Sequence, residues 1–476
     1  AVLVELGQPL PDDDELTFDA TFADAVQRLN GLIADEQRPR LLEIAAEAAA
    51  HDVAFLWDDD VVSVGLGRGS QCWPAEALPA SIEWSGVADV PVGLVTGTNG
   101  KTTTVRLCAR IFRAASLRVG FSSTDWIAVD DQIIDRGDYS GPGGARTVLR
   151  QPSVDVAVLE SARGGLLRRG LGVARADAAL ITNVTEDHLG DFGSQDLDEL
   201  LELKWLVMKA LDAKSVAVLN ADDHRLVAKS SELDCAIIWF SLDSDNAVLG
   251  AHVAAGGQAV TVRGEMLSRF DGEQWRAICS VKDVPITLDG IARHNVANAL
   301  AAAALCHALD ASDEAISQGL QSMQVNDNAG RCNIFDIDGV QVLLDFAHNP
   351  DAMAALFQIA SHHPGKRRAL CFGQAGDRTD REIRGLATQA WAIGLDRVMI
   401  SELADYRRGR ASGEVFGLLS GALQEAGAAP TQISHHDAEA DPLHAALAWA
   451  QPGVLIIMLA LSDARRLLTQ LNELAK

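Results

Sequence analysis

The sequence predicts an α/β protein in three parts: a small N-terminal α+β part over residues 1–88, a central part built on a mainly parallel sheet over 89–327, and a second α/β part over 328–476. Three observations predict it. An apolar run, a glycine-containing turn and a helix start follow one another in Pro91-Val-Gly-Leu-Val-Thr-Gly-Thr-Asn-Gly-Lys-Thr-Thr-Thr104. Short apolar runs of strand length then alternate with helical patterns, before residue 328 and again after it, as parallel sheets with crossover helices require. Polar clusters stand directly after those runs, where the carboxyl ends of parallel strands gather ligands.

Composition narrows the classes. A chain of 476 residues with a formal net charge of −26 is long enough for several cores and argues against nucleic acid or an anionic membrane as main partner. Any polyphosphate site must then be locally basic. Seven scattered cysteines without a C-x-x-C pair suit free thiols in a reducing cytoplasm rather than a disulfide framework or a zinc ribbon. The start, Ala1-Val-Leu-Val-Glu, carries no basic segment or long apolar core, so no signal peptide is expected. The apolar run from Val454 to Leu461 reads as a buried strand and is far short of a membrane span.

Taken in order, Phe22 to Leu32 and Arg40 to His51 have helical spacing, and Val61 to Gly67 reads as a strand and turn. In the central part, Val92 to Val95 is a strand and Thr103 to Ala115 a helix. Asp155 to Glu160, Asp177 to Asn183 and Ser215 to Asn220 are further buried strands, each ending on polar residues. The alternation from 240 to 290, with Gly256-Gly257, suggests an antiparallel β insertion, and Gly290 turns into an Ala-rich helix. In the last part the strands are Val340 to Asp345, Arg368 to Gly373, Arg397 to Ser401 and Val454 to Ala460, without a G-x-G-x-x-G dinucleotide fingerprint.

The loop of Thr98, Asn99, Gly100, Lys101, Thr102 and Thr103 suits a phosphate chain: backbone amides and a helix N-terminus face the anion, Lys101 adds a point charge, and the Thr102 hydroxyl suits magnesium. It is a shortened version of the usual phosphate loop, because Val95 stands where the first glycine belongs.

Thr96-Gly-Thr-Asn-Gly-Lys-Thr-Thr, Asn183-Val-Thr-Glu-Asp-His-Leu, Asn220-Ala-Asp-Asp, His294-Asn-Val-Ala-Asn, Gly330-Arg and Asp345-Phe-Ala-His-Asn-Pro, in that order, resemble the motif set of the Mur ligases over residues 90–476. Gly141-Pro-Gly-Gly-Ala-Arg, Leu159-Glu-Ser-Ala-Arg-Gly-Gly, Gly376-Asp-Arg-Thr-Asp-Arg-Glu and Arg407-Arg-Gly-Arg resemble the ligase module of the cyanophycin synthetases. The resemblance implies a three-domain Mur-ligase-like architecture, with a central P-loop ATPase domain and a C-terminal Rossmann-like domain. It implies an ATP-dependent ligase that activates a carboxylate as an acyl phosphate for attack by an amine, with ATP and two magnesium ions. Fewer than 100 residues precede the phosphate loop, so an ATP-grasp module is not expected.

By the same resemblance Lys101 binds the β- and γ-phosphates; Thr102, Glu160 and His188 hold magnesium; Asn295 meets the adenine; and Arg331 and Asp345 reach the phosphates and ribose. Lys204 is either carbamylated or a plain cation on the carboxylate substrate. Ser161 and Arg163, with the stretch Gly141 to Arg146, are read as glycine-rich loops on that substrate or as structural turns. Arg378, Asp377, Glu402, Arg407 and Arg408 are candidates for the amine substrate, paired arginines suiting a carboxylate fork; a solvated charged face is the alternative for Arg407 and Arg408. A cyanophycin-related small or peptide substrate ranks ahead of a peptidoglycan precursor or folate, and ahead of an ATP-binding regulatory subunit. A cytoplasmic location is expected; a homo-oligomer stays open.

Overall fold

The computed structural model describes residues 18–36, 38–186, 196–363, 365 and 367–475. They fall into two compact units, one holding the residues up to Gly65 with Gln71–Ala88, the other Leu66–Ser70 with everything from Asp89 onward.

In the first unit, α1 (Phe18–Glu36) and α2 (Pro39–Ala50) precede an antiparallel sheet of β1 (Phe55–Trp57), β2 (Val61–Val64) and β3 (Gln71–Pro74). Pro39 opens α2, where its missing amide costs nothing. Leu41, Ile44 and Ala48 lie on one helical face and bury against Val62 and Val64.

The second unit carries two sheets. The larger contains, in chain order, β4 (Val92–Thr96), then after α3 (Lys101–Ala114) the strands β5 (Val119–Ser122), β6 (Trp126–Val129) and β7 (Gln132–Arg136). Helix α4 (Pro142–Leu149), β8 (Val156–Glu160), α5 (Arg163–Arg169), β9 (Ala178–Ile181), α6 (Leu197–Trp205), β10 (Val216–Asn220), α7 (His224–Lys229), β11 (Ala236–Ser241) and α8 (Ala247–Ala254) follow. Strands β12 (Ala259–Arg263), β13 (Met266–Phe270) and β14 (Trp275–Ser280) close it, before α9 (Arg293–Ala308) and α10 (Asp313–Ser322). The spatial order is β14-β13-β12-β11-β10-β9-β4-β8-β5-β6-β7. From β12 through β5 the neighbours are parallel, and antiparallel strands extend both edges. Strands β4, β8 and β9 are buried along their whole length, which is why they read as continuous apolar runs. Helix α9 is buried nearly all round, and its alanines let it approach α3 closely: the Cys108 and Cys306 thiols each reach a carbonyl of the facing helix.

The smaller sheet is built from β15 (Asn333–Ile337), β16 (Val340–Asp345), α11 (Pro350–His362), β17 (Arg368–Phe372), α12 (Asp380–Trp391), β18 (Arg397–Ser401), α13 (Glu414–Glu425), β19 (Ile433–His436), α14 (Asp441–Trp449), β20 (Leu455–Leu459) and α15 (Ala464–Leu474). Its order is β15-β16-β20-β17-β18-β19, parallel apart from β15. Among the described residues no helix is long and apolar enough to cross a membrane.

Three expectations need correction. Gly141 to Arg146 and Ser161 to Gly165 are not loops throughout: Pro142 starts α4 and Arg163 starts α5. The glycines there serve helix packing, since a Cβ on Gly165 would stand 2.8 Å from the Cα of Gly141. The antiparallel pairing expected in the 240–290 stretch is present between β12, β13 and β14, but these strands extend the main sheet rather than stand apart from it, because β12 joins β11 in parallel. Gly256 follows α8 with φ +83, and Gly264 turns β12 into β13.

Candidate active site

Strand β4 lies between β8 and β9, so the chain leaves its neighbours on both sides and opens a crevice at the carboxyl ends. The phosphate loop fills that place. Gly100 caps α3 in the left-handed region, at φ +88, and a Cβ there would meet Asn298 Oδ1 at 2.1 Å. The loop is held from β9: Thr98 N donates to Asn183 O at 2.9 Å, Asn99 N to Asn183 Oδ1 at 2.9 Å, and Thr182 Oγ1 to Asn99 O at 2.7 Å. Asn220 and Asp223 hold that second loop in turn, through Thr182 O and Val184 N. These motif residues therefore shape the loop, and Thr182, Asn183 and Asn220 also line the cavity above it.

A cavity of about 950 Å³ opens over it. Lys101 Nζ donates to Gly97 O at 3.0 Å and Thr98 O at 2.9 Å. Lys204, from α6, is buried and donates to the same Gly97 O at 2.8 Å, so two lysine side chains converge on one carbonyl. Glu160, at the end of β8, is 1 % exposed. Its Oε2 accepts from Thr102 Oγ1 at 2.9 Å and its Oε1 from Thr124 Oγ1 at 2.6 Å, and among the described residues no cation pairs with it. A buried carboxylate answered by two hydroxyls and the Thr124 amide leaves negative charge to spare. A hydroxyl beside a carboxylate is the hard-oxygen set that fits magnesium, with phosphate oxygens and water completing the shell. Among the described residues no three His, Cys, Asp or Glu side chains gather at metal spacing. His188, expected as a further ligand, lies outside the described residues.

The opposite wall comes from the smaller sheet. The Asp345 carboxylate, at the end of β16, accepts from Cys332 N and Ala347 N, both at 2.7 Å. Arg331 lies over the Phe346 ring at 4.4 Å. Cys332 Sγ and His294 Nε2 are 3.5 Å apart. Desolvation pushes the imidazole pKa down against the pull of Asp345, and pushes the thiol well up with Asp345 adding to it, so both stay neutral near pH 7. Asn295 lines the cavity with both ends of its amide engaged, donating to Ile286 O at 2.8 Å and accepting from Asn298 at 3.2 Å.

Behind the phosphate loop sits a group that the sequence did not single out. Arg106 on α3 is buried, stacks over Trp126 at 4.2 Å, pairs with Asp125 at 2.6 Å and donates to Asn328 Oδ1 at 2.9 Å. Asn328 Nδ2 donates to Thr103 Oγ1 at 3.0 Å, so the stretch leading to Arg331 is tied to the helix of the phosphate loop. Burial lowers the Arg106 pKa to about 10, partly offset by Asp125, and the group stays charged at neutral pH.

The cavity brings together Thr98 to Thr103, Glu160, Arg163, Lys204, Asn295, Arg331, Asp345, Asp377 and Arg408. It does not gather Ser161, Arg378, Glu402 or Arg407 into its lining. Ser161 turns a carbonyl to Thr96 Oγ1, and Arg407 lies 3.4 Å from the buried Glu402, which also accepts from Gly413 N. Thr124, Asp138, His348 and Asp351 line the cavity without having been expected; the spacing of Asp351 in the first turn of α11 is the one signal that could have found it.

The family model of the Mur ligase middle domain matches residues 95–306, and that of the Mur ligase glutamate ligase domain matches residues 330–460. A cyanophycin synthetase of Geminocystis herdmanii is 38% identical over 335 residues, 70% of this chain and 38% of the relative. The chain thus spans little more than a third of that relative's length. Among solved structures, E. coli FolC in complex with DHPP and ADP superposes with a TM-score of 0.58 at 20% identity, over 80% of this chain and 88% of that one. The Yersinia pestis folylpolyglutamate synthase/dihydrofolate synthase complexed with AMPPNP and a manganese ion gives 0.57 at 21% identity, over 80% and 89%. At that identity the likeness is one of fold.

Proposed function

The chain belongs to the Mur ligase family, and from that premise we propose that it joins a carboxylate to an amine with ATP as the activating substrate. The observation that carries this reading is the convergence of Lys101, Glu160, Lys204, Arg331 and Asp345 on one cavity of about 950 Å³. The carboxylate oxygen attacks the γ-phosphorus and ADP leaves. The amine nitrogen then attacks the acyl carbon, phosphate leaves and the nitrogen loses a proton. Both partners of the first step are anions, so the residues must bring like charges together.

On this reading Lys101 and the loop amides would take the phosphates, Thr102 and Glu160 would hold magnesium, and Arg331 and Asp345 would meet the nucleotide from the side of the smaller sheet. Magnesium, when bound, neutralises charge on the phosphate oxygens. Two ammonium groups sharing the Gly97 carbonyl repel each other; carbamylation of Lys204 removes that repulsion and keeps an N–H for the carbonyl. For substrate carboxylates the reading assigns Arg163 and Arg408, both of which line the cavity. The 38% identity with a cyanophycin synthetase supports a cyanophycin-related peptide as the carboxylate. Residues 1–88, 89–327 and 328–476 then serve as an N-terminal domain, an ATP domain and an amine-binding domain.

The test is phosphate release from magnesium-ATP across a panel of amino acids and short peptides. Acceptor-dependent release, abolished in Lys101→Ala, is expected. ATP binding without release on any amine would mark a regulatory subunit instead. For Lys204→Ala, partial rescue by added short carboxylates is expected; no rescue counts against the carbamate.

A further inference from the structure

The side chains of Asn99 and Asn349 meet head to head across 250 positions of chain. Asn349 Nδ2 donates to Asn99 Oδ1 at 2.9 Å, and Asn99 Nδ2 donates back to Asn349 Oδ1 at 3.3 Å. The direction is not arbitrary. Asn349 Oδ1 also accepts from Ala352 N at 2.9 Å as the N-cap of α11, which leaves its nitrogen to face the Asn99 oxygen. Asn99 is gripped from the other side by its backbone, through Thr182 Oγ1, Asn183 Oδ1 and Asn183 Nδ2. One residue of the phosphate loop is thus fixed to the loop after β9 by its main chain and to the first turn of α11 by its side chain.

Asn349 is 1 % exposed and stands four residues after Asp345. Were α11 to draw away from the phosphate loop, the cap would survive but Asn349 Nδ2 would lose its acceptor inside a buried turn. The amide pair therefore favours the arrangement in which Asp345 and Arg331 share a cavity with Lys101 and Glu160. The Thr103–Asn328–Arg106 group is a second tie, which joins the stretch before β15 to α3, while the amide pair joins the turn before α11 to the phosphate loop.

We propose that Asn349 is a positioning residue which, through Asn99, latches the turn after β16 onto the phosphate loop, so that latch closure and nucleotide binding stabilise each other. This rests on the nucleotide reading of the cavity. Because such coupling is reciprocal, loosening the latch weakens the nucleotide by the factor that nucleotide would tighten the latch.

Asn349→Ser keeps an oxygen for the α11 cap but is too short to reach Asn99. Titration of magnesium-ATP into the full chain should show a Kd raised roughly three- to tenfold, as loss of one or two neutral hydrogen bonds implies. In turnover the KM for ATP should rise while the KM for the amine stays. Asn349→Asp keeps the cap but sets a carboxylate oxygen against Asn99 Oδ1 and a negative charge beside the phosphate loop, so it should bind magnesium-ATP no better than Asn349→Ser. Asn99→Ala combined with Asn349→Ser should be no weaker than the weaker single variant, and urea midpoints without nucleotide should show the same non-additivity. Additive urea effects overturn the pair. Wild-type binding with unchanged affinity in Asn349→Ser overturns the latch alone. Wild-type protein that takes up no magnesium-ATP overturns the nucleotide reading, and the latch with it.

Discussion

Glu160 is placed where a stable fold alone would not want a carboxylate. It is buried, and its partners are two hydroxyls and an amide rather than a cation. Glu160→Gln keeps the shape, and the Thr124 hydroxyl can turn to accept from the new amide. The variant should therefore melt no lower than wild type while acceptor-dependent phosphate release falls by about 100-fold or more, as loss of a charge on the reacting groups implies. A drop in both would mean that Glu160 is structural. His294 makes a separate statement about pH. Desolvation lowers its folded pKa below the usual 6.5, so the unfolded chain binds the proton more readily. Its share of stability is complete above about 6.5 and declines as the pH falls below that value. His252, His307, His363 and His436 are lowered too, so the acid limb is shared among them. His294→Asn should flatten the loss of urea midpoint between about pH 6.5 and 5 without removing it; an unchanged slope would mean that the imidazole titrates normally.

Elements differ in how much of them the sequence exposes, and the difference follows burial. Strands β4, β8, β9 and β10 are legible because parallel strands covered on both faces need unbroken apolar runs. Strands β6 and β7 were not read, because an exposed edge pair such as Gln132–Arg136 leaves no run and little alternation. Helix α4 was hidden by Gly143 and Gly144, which propensity sends to a loop; a Cβ on Gly144 would stand 2.3 Å from Tyr139 O, so packing overrides propensity there. In the site, Lys101 and Glu160 were legible from their places at strand ends. Arg106 was not, since an arginine inside a helical pattern reads as its wet face until Asp125, Trp126 and Asn328 surround it. That group yields a prediction about α3. Arg106→Met leaves Asn328 Oδ1 and the Ala329 carbonyl without their donor in a buried place, and should cost about 3 kcal/mol of stability. Arg106→Lys keeps a charge but not the fork and should fall between the two. Equal urea midpoints in all three proteins would show that the buried fork contributes nothing.

The molecule as a whole contains two compact units of unequal size, and the proposed nucleotide site uses residues of the larger one alone. Units with their own cores can unfold as separate cooperative steps. The smaller relies on a core of Leu41, Ile44, Ala48, Val62 and Val64 with a few partly buried aromatics, which is modest beside the extended cores flanking the two sheets of the larger. Calorimetry should then resolve a small transition below a large one. A ligand that binds the folded form stabilises only the unit to which it binds, by roughly 2.7 kcal/mol at a concentration a hundred times its Kd. Magnesium-ATP at that level should raise the large transition and leave the small one in place, and Lys101→Ala should abolish the shift. Movement of both transitions together would mean that the N-terminal unit takes part in holding the nucleotide. A shift that survives in Lys101→Ala would place the nucleotide somewhere other than the loop between β4 and α3.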